Sequence, residues 1–376
     1  MPPSAPRVVL AHDWLTGMRG GERVLEELCR LFPEAPLVTL LHVKGSVSPL
    51  IEDREIHTSF LDALPGIGRT YRRFLPLMPA AVRALRVPPC DLLISSSHCA
   101  IKALRPPPGA RHLCYLHTPM RYVWGQAPAY FGPGRADPLT RAAAKLLVPA
   151  LRRWDAGSND RVDRFVCNSR HVAGQVRELY GREAGVVHPP VDLSRFHATK
   201  RPGAEAPYLM VTAFSPYKGV EVAVDAFRRL GRPLEVVGQG QLYERLRPRF
   251  GRDIRALGNL NDAEVTDAYQ RCRAFVMPAE EDFGIAALEA QASGRPVIAL
   301  ARGGALETVA PLGEAAAPTG VLYARSEDPV ADLVIAVRRF EEHEAAFSPE
   351  AARANAERFA PDTFRRGIEA EVEKLL

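Results

Sequence analysis

Two carboxylates, Glu281 and Glu289, stand eight residues apart in the second half of the chain. The apolar segment 273–278 before them predicts a short buried strand, and the pattern over 285–293 predicts a helix that ends at a glycine and a proline. Glu281 therefore lies in the loop before the predicted helix, and Glu289 lies about one turn inside it. A carboxylate on either side of a helix start can bind hydroxyl groups, while the helix start itself can bind a phosphate.

The predicted phosphate donors are the backbone amides of the first helical turn, at Phe283, Gly284, Ile285 and Ala286. Such amides have no intrahelical partner and lie at the positive end of the helix dipole. A nucleotide-sugar carries the matching groups, namely sugar hydroxyls, a diphosphate and ribose hydroxyls. The alternative interpretation is an amphipathic helix with ordinary capping carboxylates, because two glutamates at this spacing also occur by chance.

Three further motifs follow the first glutamate in order, and they are Asp-Phe-Gly at 282–284, Gly-Arg-Pro-Val-Ile at 294–298 and Gly-Gly-Ala-Leu-Glu at 303–307. With Glu281 and Glu289 they resemble the donor-site signature of the family 4 retaining glycosyltransferases of the GT-B fold. The resemblance implies an α/β protein in which two doubly wound Rossmann-like domains face a cleft. It also implies that Glu281 binds the sugar hydroxyls and that Glu289 binds the ribose.

Length and composition are those of a globular protein with about two domains. The chain has 376 residues, of which 47% are hydrophobic and 25% are charged. No apolar run is long enough for a spanning helix, and residues 1–7 contain no secretory signal. The six cysteines include no Cys-x-x-Cys pair, so we expect reduced core residues in a cytoplasmic protein.

Charge is divided unevenly along the chain. Residues 1–200 hold 27 Lys+Arg and 17 Asp+Glu, a net charge of +10, whereas the remainder holds 22 and 27, a net charge of −5. A basic N-terminal half predicts an anionic partner for that half, such as a phosphate or an anionic lipid surface. Nucleic acid is not expected, because aromatic residues are not interleaved with the basic ones as on a single-strand platform.

Short apolar segments alternate with helical patterns along both halves and predict parallel sheets with helices on both faces. The predicted strands are 7–11, 36–41, 91–95, 112–116 and 164–167 in the first half and 208–212, 234–237, 274–277, 296–300 and 320–323 in the second. The polar interval 197–206 separates the two halves and is interpreted as the linker. The predicted domains are 1–195, which binds the acceptor, and 205–360, which binds the nucleotide-sugar. By resemblance to the family, a last helix at about 361–376 packs back on the first domain.

Lys218 lies in the loop after the first predicted strand of the second domain, where a point charge suits a departing diphosphate. The alternative is an ordinary exposed surface lysine. Most of the family has an arginine five residues earlier, and here that position is Ala213. The resemblance therefore implies only half of the usual Arg–Lys pair, and Arg121 is a candidate for the missing charge.

His117 follows the predicted strand 112–116, at the edge of the sheet where ligands bind in such folds. The family places a histidine here, near the transferred sugar, and the alternative is a structural histidine with ordinary hydrogen bonds. His12 and His98 also follow strands of the first domain. With Arg121 they are predicted to line the acceptor side.

Glycines complete the predicted donor site. Gly20 and Gly21 are interpreted as a loop between the first strand and the first helix, where paired glycines permit positive φ and close approach to a ligand. Gly238 follows the second strand of the second domain and is expected to border the nucleotide. No Asp-x-Asp motif occurs, so neither a metal clamp nor a cofactor is expected.

Segments spread along nearly the whole chain resemble the branch of mannosyltransferases that build O-antigen and exopolysaccharide, usually from GDP-mannose; they are 71–79, 95–98, 114–124, 167–170 and 188–192. The resemblance implies transfer of a hexose to a glycan or a lipid-linked acceptor in polysaccharide biosynthesis. The basic apolar runs 69–86 and 141–153 predict peripheral contact with an anionic membrane, or else solvated faces of packed helices. Alternatives are a UDP-sugar donor, a different reaction on the same fold, and a non-catalytic subunit that binds a nucleotide-sugar or a glycan.

Overall fold

The computed structural model describes residues 6–125 and 138–376. The chain divides into two compact units. Unit 1 is Met1–Pro190 together with Asp362–Leu376, and unit 2 is Val191–Pro361. Each unit is a parallel sheet with helices packed against it, as the strand–helix alternation predicts.

The described part of unit 1 contains a seven-stranded sheet in the order β3-β2-β1-β4-β5-β6-β7. All of its neighbouring strands pair in parallel. The strands are β1 Val8–His12, β2 Leu37–Thr39, β3 Ile56–Thr58, β4 Leu92–Ser97, β5 Arg111–Leu116, β6 Arg164–Cys167 and β7 Ala184–Val186. The strand order reverses direction between β1 and β4, and that point is where ligands bind in open sheets of this type.

Helices cover both faces of this sheet. The helices described for residues 6–190 are α1 Gly20–Leu31, α2 Pro49–Glu52, α3 Ile67–Thr70, α4 Met78–Ala84, α5 Pro138–Gly157 and α6 Arg170–Tyr180, with short 3₁₀ turns at Phe60–Ala63, Tyr71–Leu77, Ile101–Ala103 and Asn159–Arg161. Helix α1 illustrates the apolar pattern of a helix packed on a sheet. Its residues Val24 and Leu25 lie four and three positions before Leu28, on one face of the helix, and all three are fully buried.

The described part of unit 2 contains a six-stranded parallel sheet in the order β10-β9-β8-β11-β12-β13. Its strands are β8 Tyr208–Val211, β9 Leu234–Val237, β10 Ile254–Gly258, β11 Phe275–Met277, β12 Val297–Leu300 and β13 Gly320–Tyr323. Apart from the buried Glu235 of β9, the four inner strands consist of apolar residues that are nearly all buried, as expected for a covered parallel sheet. Here the strand order reverses between β8 and β11.

The helices described for unit 2 and for the returning segment are α7 Val220–Leu230, α8 Tyr243–Leu246, α9 Asp262–Arg271, α10 Ile285–Ala292, α11 Ala305–Thr308, α12 Pro329–Glu342, α13 Pro349–Glu357 and α14 Pro361–Glu373, with 3₁₀ turns at Pro216–Lys218, Arg247–Arg249 and Glu344–Ala346. Helix α14 belongs to unit 1 from Asp362 onward. Its buried residues Phe364 and Ile368 pack in the same core as Leu25 and Leu28 of α1.

The predicted parallel α/β architecture is confirmed, with two local corrections. The first concerns β3, β7 and β10, which were not predicted. Each is an edge strand with partly exposed residues, so it lacks the continuous apolar run of a buried strand.

The second correction concerns the polar interval 197–206, which is not a free linker. It lies within unit 2, where Arg201 donates to the carbonyl oxygens of Glu344 and Phe347. The carbonyl oxygens of Thr199 and Lys200 in turn accept hydrogen bonds from Arg295. Because these polar groups are hydrogen-bonded, a polar sequence can lie inside a packed unit.

Candidate active site

Lys218 and Glu281 follow the two strands, β8 and β11, that flank the reversal point of the unit 2 sheet. Lys218 ends the 3₁₀ turn after β8, and Glu281 lies in the loop between β11 and α10. The Lys218 Nζ atom is 2.5 Å from Oε2 of Glu281, and the two side chains are only 18% and 20% exposed. Two residues that are 63 positions apart in sequence thus form one charge pair at the ligand-binding edge of the sheet.

Glu289 lies on α10 and has a partner that the sequence did not predict. The hydroxyl of Tyr269, on α9, donates to Glu289 Oε2 at 2.9 Å. Burial raises the pKa of Tyr269 well above its ordinary value, and the nearby Glu289 charge acts in the same direction. The phenol therefore stays protonated and fixes the orientation of the carboxylate.

A close approach of two loops shapes the corner that precedes α10. The amide of Gly304 donates to the Glu281 carbonyl oxygen at 2.8 Å. A Cβ atom at Gly304 would lie 2.2 Å from the backbone of Phe283, so only glycine fits. Gly284 caps the helix in the left-handed conformation, Ile285 begins it, and the first-turn amides lie at this corner.

Gly238 occupies the end of β9, on the other side of Lys218. Its φ is +127°, and a Cβ atom there would lie 2.0 Å from the Thr212 carbonyl oxygen. The loop after β9 therefore packs directly on the loop after β8. Ala213 lies in that second loop, between Thr212 and the turn that carries Lys218, and it supplies no charge.

In unit 1 the predicted histidines are brought together at the reversal point of the sheet. His12 ends β1, His98 follows β4 and His117 follows β5. The ring centroids lie 5.6 Å apart for His12–His98, 6.2 Å for His98–His117 and 6.5 Å for His12–His117. Ser96 of β4 joins two of them, since its hydroxyl lies 3.1 Å from His12 Nδ1 and 2.8 Å from His117 Nε2.

Asp13 organises the loop that carries His98. Its two carboxylate oxygens accept the backbone amides of residues 98–101 at 2.6–2.9 Å. Asp13 Oδ2 is also 3.5 Å from His98 Nδ1. This buried carboxylate was not predicted as a site residue, although it directly follows the predicted His12.

All three histidines are neutral in this environment. Burial lowers the pKa of His12 and of His98 to about 3, and it lowers the pKa of His117 well below its ordinary value. Next to burial, the Arg121 charge contributes most to the lowered pKa of His98, and it also lowers that of His117. Arg121 therefore lies beside the histidine cluster.

Two predictions about this cluster need correction. His12 has no exposed surface, so it cannot line the acceptor side directly and can act only through its neighbours. Gly20 and Gly21 are the first two residues of α1 rather than a loop, and neither has a positive φ. Gly21 lies beside the histidine cluster, since a Cβ atom there would make ordinary van der Waals contact with the His12 ring at 3.4 Å and with the His117 ring at 3.8 Å.

Among the described residues no cluster of three His, Cys, Asp or Glu side chains has the arrangement of a metal site. In the same residues, no helix is long and apolar enough to cross a membrane. All six cysteines are buried and unpaired.

Two parallel Rossmann-like units with polar side chains at their reversal points define the GT-B class of folds. Residues 195–359 match the model of "Glycosyl transferases group 1", and residues 18–195 match that of "Glycosyltransferase Family 4". The two matches together span residues 18–359. The chain belongs to the group 1 glycosyltransferases, which confirms the resemblance at the level of the family, while the mannosyltransferase branch and the retaining mechanism stay predictions.

Similar proteins include glycogen synthase of Mycobacterium tuberculosis, 31% identical over 61% of this chain and 56% of that protein. A 98-residue segment is 36% identical to O-antigen chain mannosyltransferase C of Escherichia coli, over 24% of this chain and 26% of the other. The chain spans about half the length of the curated relatives it matches. A structure of Anabaena HepE in complex with UDP and glucose has a TM-score of 0.68 at 18% identity, over 98% of this chain and 100% of the other.

Proposed function

We propose that the protein transfers a sugar from a nucleotide-sugar to an acceptor, with the donor bound by unit 2. The observation that carries this proposal is the Lys218–Glu281 pair at the reversal point of the unit 2 sheet, with Glu289 on the adjoining helix. A cation beside two carboxylates fits a ligand that carries a diphosphate between two sets of hydroxyl groups. Membership of the group 1 glycosyltransferases supports the same substrate class.

In this proposal Glu289 holds the ribose, Glu281 binds hydroxyls of the transferred sugar, and Lys218 stabilises charge on the departing diphosphate. The amides of Phe283, Gly284 and Ile285 add a second electrostatic contribution. The reaction retains the anomeric configuration through attack of the acceptor hydroxyl on the face from which the diphosphate leaves. It requires no metal, because the protein supplies the charge.

The proposed donor is GDP-mannose. Its support is the predicted resemblance to the O-antigen branch and the matched segment of O-antigen chain mannosyltransferase C. A UDP-sugar is the second candidate, and the fold shared with HepE, solved with UDP and glucose, favours it.

Unit 1 is proposed to bind the acceptor, a glycan or a lipid-linked glycan, with His117 orienting the transferred sugar and His98 and Arg121 beside it. Peripheral contact with an anionic membrane on the cytoplasmic side would deliver a lipid-linked acceptor. Helix α5 supports this contact, since Leu146 is 79% exposed beside the exposed Lys145. Flotation with anionic vesicles at low salt tests it, and protein that stays unbound would refute it.

A thermal-shift panel tests the donor with GDP-mannose, GDP-fucose, UDP-glucose, UDP-N-acetylglucosamine, ADP-glucose and the free diphosphates, each with and without EDTA. A ligand at about 100 times its Kd adds roughly 2.7 kcal/mol to the free energy of unfolding. We expect stabilisation by GDP compounds that survives EDTA and is lost in Glu289→Ala. Stabilisation by UDP compounds alone would show that the donor is a UDP-sugar and not GDP-mannose. No stabilisation by any nucleotide would refute the donor site.

Catalysis itself is tested by release of nucleoside diphosphate from the responding donor. The position of Ala213, where most of the family has arginine, favours a second candidate, a subunit that binds the nucleotide-sugar without turning it over. Purified protein that binds the donor and releases no diphosphate with any acceptor would support that candidate.

A further inference from the structure

Four side chains of unit 1 form a continuous row from helix α1 to the edge of the sheet. They are Glu22 of α1, His12 of β1, Ser96 of β4 and His117 after β5. Glu22 Oε1 is 4.0 Å from His12 Nε2, and the Ser96 hydroxyl bridges His12 Nδ1 and His117 Nε2. Glu22, His12 and Ser96 are all buried, so water does not compete for these contacts.

The Ser96 hydroxyl has one proton, and this fact couples the two imidazoles. If the hydroxyl donates to His12 Nδ1, its oxygen accepts a proton from His117 Nε2. If it donates to His117 Nε2, its oxygen accepts from His12 Nδ1. When both rings donate to Ser96, its buried proton is unpaired, which costs about 1–3 kcal/mol.

Glu22 determines which of the two arrangements is preferred. An ionised carboxylate attracts a proton on the nearer nitrogen of His12, Nε2, which has no other hydrogen-bond partner. His12 Nδ1 then accepts from Ser96, and Ser96 accepts from His117 Nε2. The remaining nitrogen of His117, Nδ1, is left without a proton and can accept a hydrogen bond from a hydroxyl group.

We propose that Ser96 is a positioning residue through which Glu22 selects the tautomer of His117. With Glu22 ionised, His117 presents a hydrogen-bond acceptor at Nδ1, and with Glu22 neutral it presents a donor. This inference rests on the proposed function, in which His117 orients a hydroxyl of the transferred sugar. The row therefore decides whether that hydroxyl donates or accepts.

Both states of Glu22 are accessible near neutral pH, because burial raises the pKa of Glu22 to about 7. The Arg19 charge and the Arg19 amide, which donates to Glu22 Oε2 at 3.1 Å, act in the opposite direction, and Asp13 raises the pKa slightly. His98 and Arg121 also face His117, and both disfavour a second proton on it. The imidazoles thus exchange tautomers without becoming charged.

Substitution of Glu22 by glutamine tests the proposal with the shape of the side chain unchanged. The amide oxygen of the new side chain replaces Oε2 as acceptor for the Arg19 amide, so its NH₂ group takes the place of Oε1, 4.0 Å from His12 Nε2, and its partial positive charge disfavours a proton on that nitrogen. His12 then donates from Nδ1 to Ser96, and Ser96 donates to His117 Nε2. The readout is the ring tautomer, observed by long-range ¹H–¹⁵N correlation at a pH of about 9, where Glu22 is ionised.

We expect His117 protonated at Nε2 in the original protein and at Nδ1 in Glu22→Gln. His112 serves as an internal reference, because its Nδ1 faces the Arg161 carbonyl oxygen at 2.8 Å and its Nε2 faces the Ser95 hydroxyl at 2.7 Å. A carbonyl oxygen only accepts, so His112 stays protonated at Nδ1 in every variant. An unchanged His117 tautomer in Glu22→Gln would overturn the proposal.

Removal of the bridge gives a second, independent test. In Ser96→Ala the His117 tautomer should no longer respond to Glu22→Gln, whereas Ser96→Thr, which restores the hydroxyl, should restore the response. A response that persists in Ser96→Ala would show that the coupling does not pass through Ser96. These spectra need no donor, so the proposal can fail while the donor panel succeeds, and the reverse also holds.

Discussion

Replacement of Lys218 by methionine isolates the charge that the proposed reaction needs. Lys218 lies 2.5 Å from Glu281, and both side chains are about four-fifths buried. The pair is therefore largely desolvated, and at an effective dielectric constant of about 20 a unit charge at ~4 Å is worth roughly 4 kcal/mol. Loss of one such preorganised charge lowers kcat by about 10²–10³-fold, and here the unpaired Glu281 adds repulsion toward the diphosphate.

Single-turnover hydrolysis of the donor identified by thermal shift, in which water takes the sugar and nucleoside diphosphate is released, measures this effect without knowledge of the acceptor. Lys200→Met is the matched control, since Lys200 is an exposed lysine of the same unit and should react at the original rate. Folding should also weaken, by about 1–3 kcal/mol, because Glu281 is left largely buried without its cation, so the rates are compared at a temperature where both proteins are folded. A fall in rate of less than about tenfold in a folded Lys218→Met protein would refute the assignment of Lys218 to the leaving group.

Glu281→Gln distinguishes the roles of the two residues of the pair. It removes the negative charge that pairs with Lys218, and it also removes a contact to the transferred sugar. We expect slower turnover together with tighter binding of the free nucleoside diphosphate, measured by calorimetry. Weaker binding of the diphosphate would mean that Glu281 supports the phosphate site rather than competes with the ligand for Lys218.

Three further predictions concern buried contacts. Lys102→Met should lower the free energy of unfolding in urea by about 3–5 kcal/mol, since Lys102 is 3.1 Å from Asp155 and its loss leaves a buried carboxylate without its cation. Gly304→Ala should destabilise unit 2 by about 1–3 kcal/mol and weaken donor binding, because the added methyl group overlaps the adjoining backbone. Tyr269→Phe should weaken donor binding by about 1 kcal/mol in titration calorimetry, because Glu289 loses the hydrogen bond that orients it.

Matched variants distinguish these effects from general damage. Lys145 is exposed on α5, so Lys145→Met should leave the free energy of unfolding unchanged, and a loss equal to that of Lys102→Met would contradict the buried-pair argument. Gly251 has open space at its Cβ position and an ordinary φ, so Gly251→Ala should bind the donor normally. If Tyr269→Phe binds the donor as tightly as the original protein does, Tyr269 is not part of the donor site.

The inner strands and the donor-site helix could be predicted because their sequences carry strong local patterns. The inner strands 164–167 and 234–237 have the predicted bounds, and so does the edge strand 320–323, because its sequence is still an uninterrupted apolar run. Edge strands such as β10 could not be predicted, because one side is solvated and polar residues interrupt the run. The interval 197–206 was wrongly predicted as a linker. Its sequence is polar, but its polar groups form hydrogen bonds with residues distant in sequence, which the local sequence does not show.

Individual site residues could be predicted more easily than their partners. Glu281 and Lys218 were each identified from their local sequence, but their contact depends on the order of strands in the sheet. Ser96 carries no local signal, because serines occur in any strand, and only the arrangement of β1, β4 and β5 places its hydroxyl between two histidines. Glu22 resembles an ordinary acidic residue in the first turn of a helix, and its carboxylate does accept the Arg19 amide there.

Helix α14 has a consequence for synthesis on the ribosome. Unit 1 lacks part of its core until residues 362–376 are added, whereas unit 2 is contained entirely within 191–361. Domains usually mature in the order in which they are translated. Here the second unit can mature first while the first still lacks the helix that completes its core, an order that proteolysis of ribosome-bound chains of increasing length would reveal or exclude.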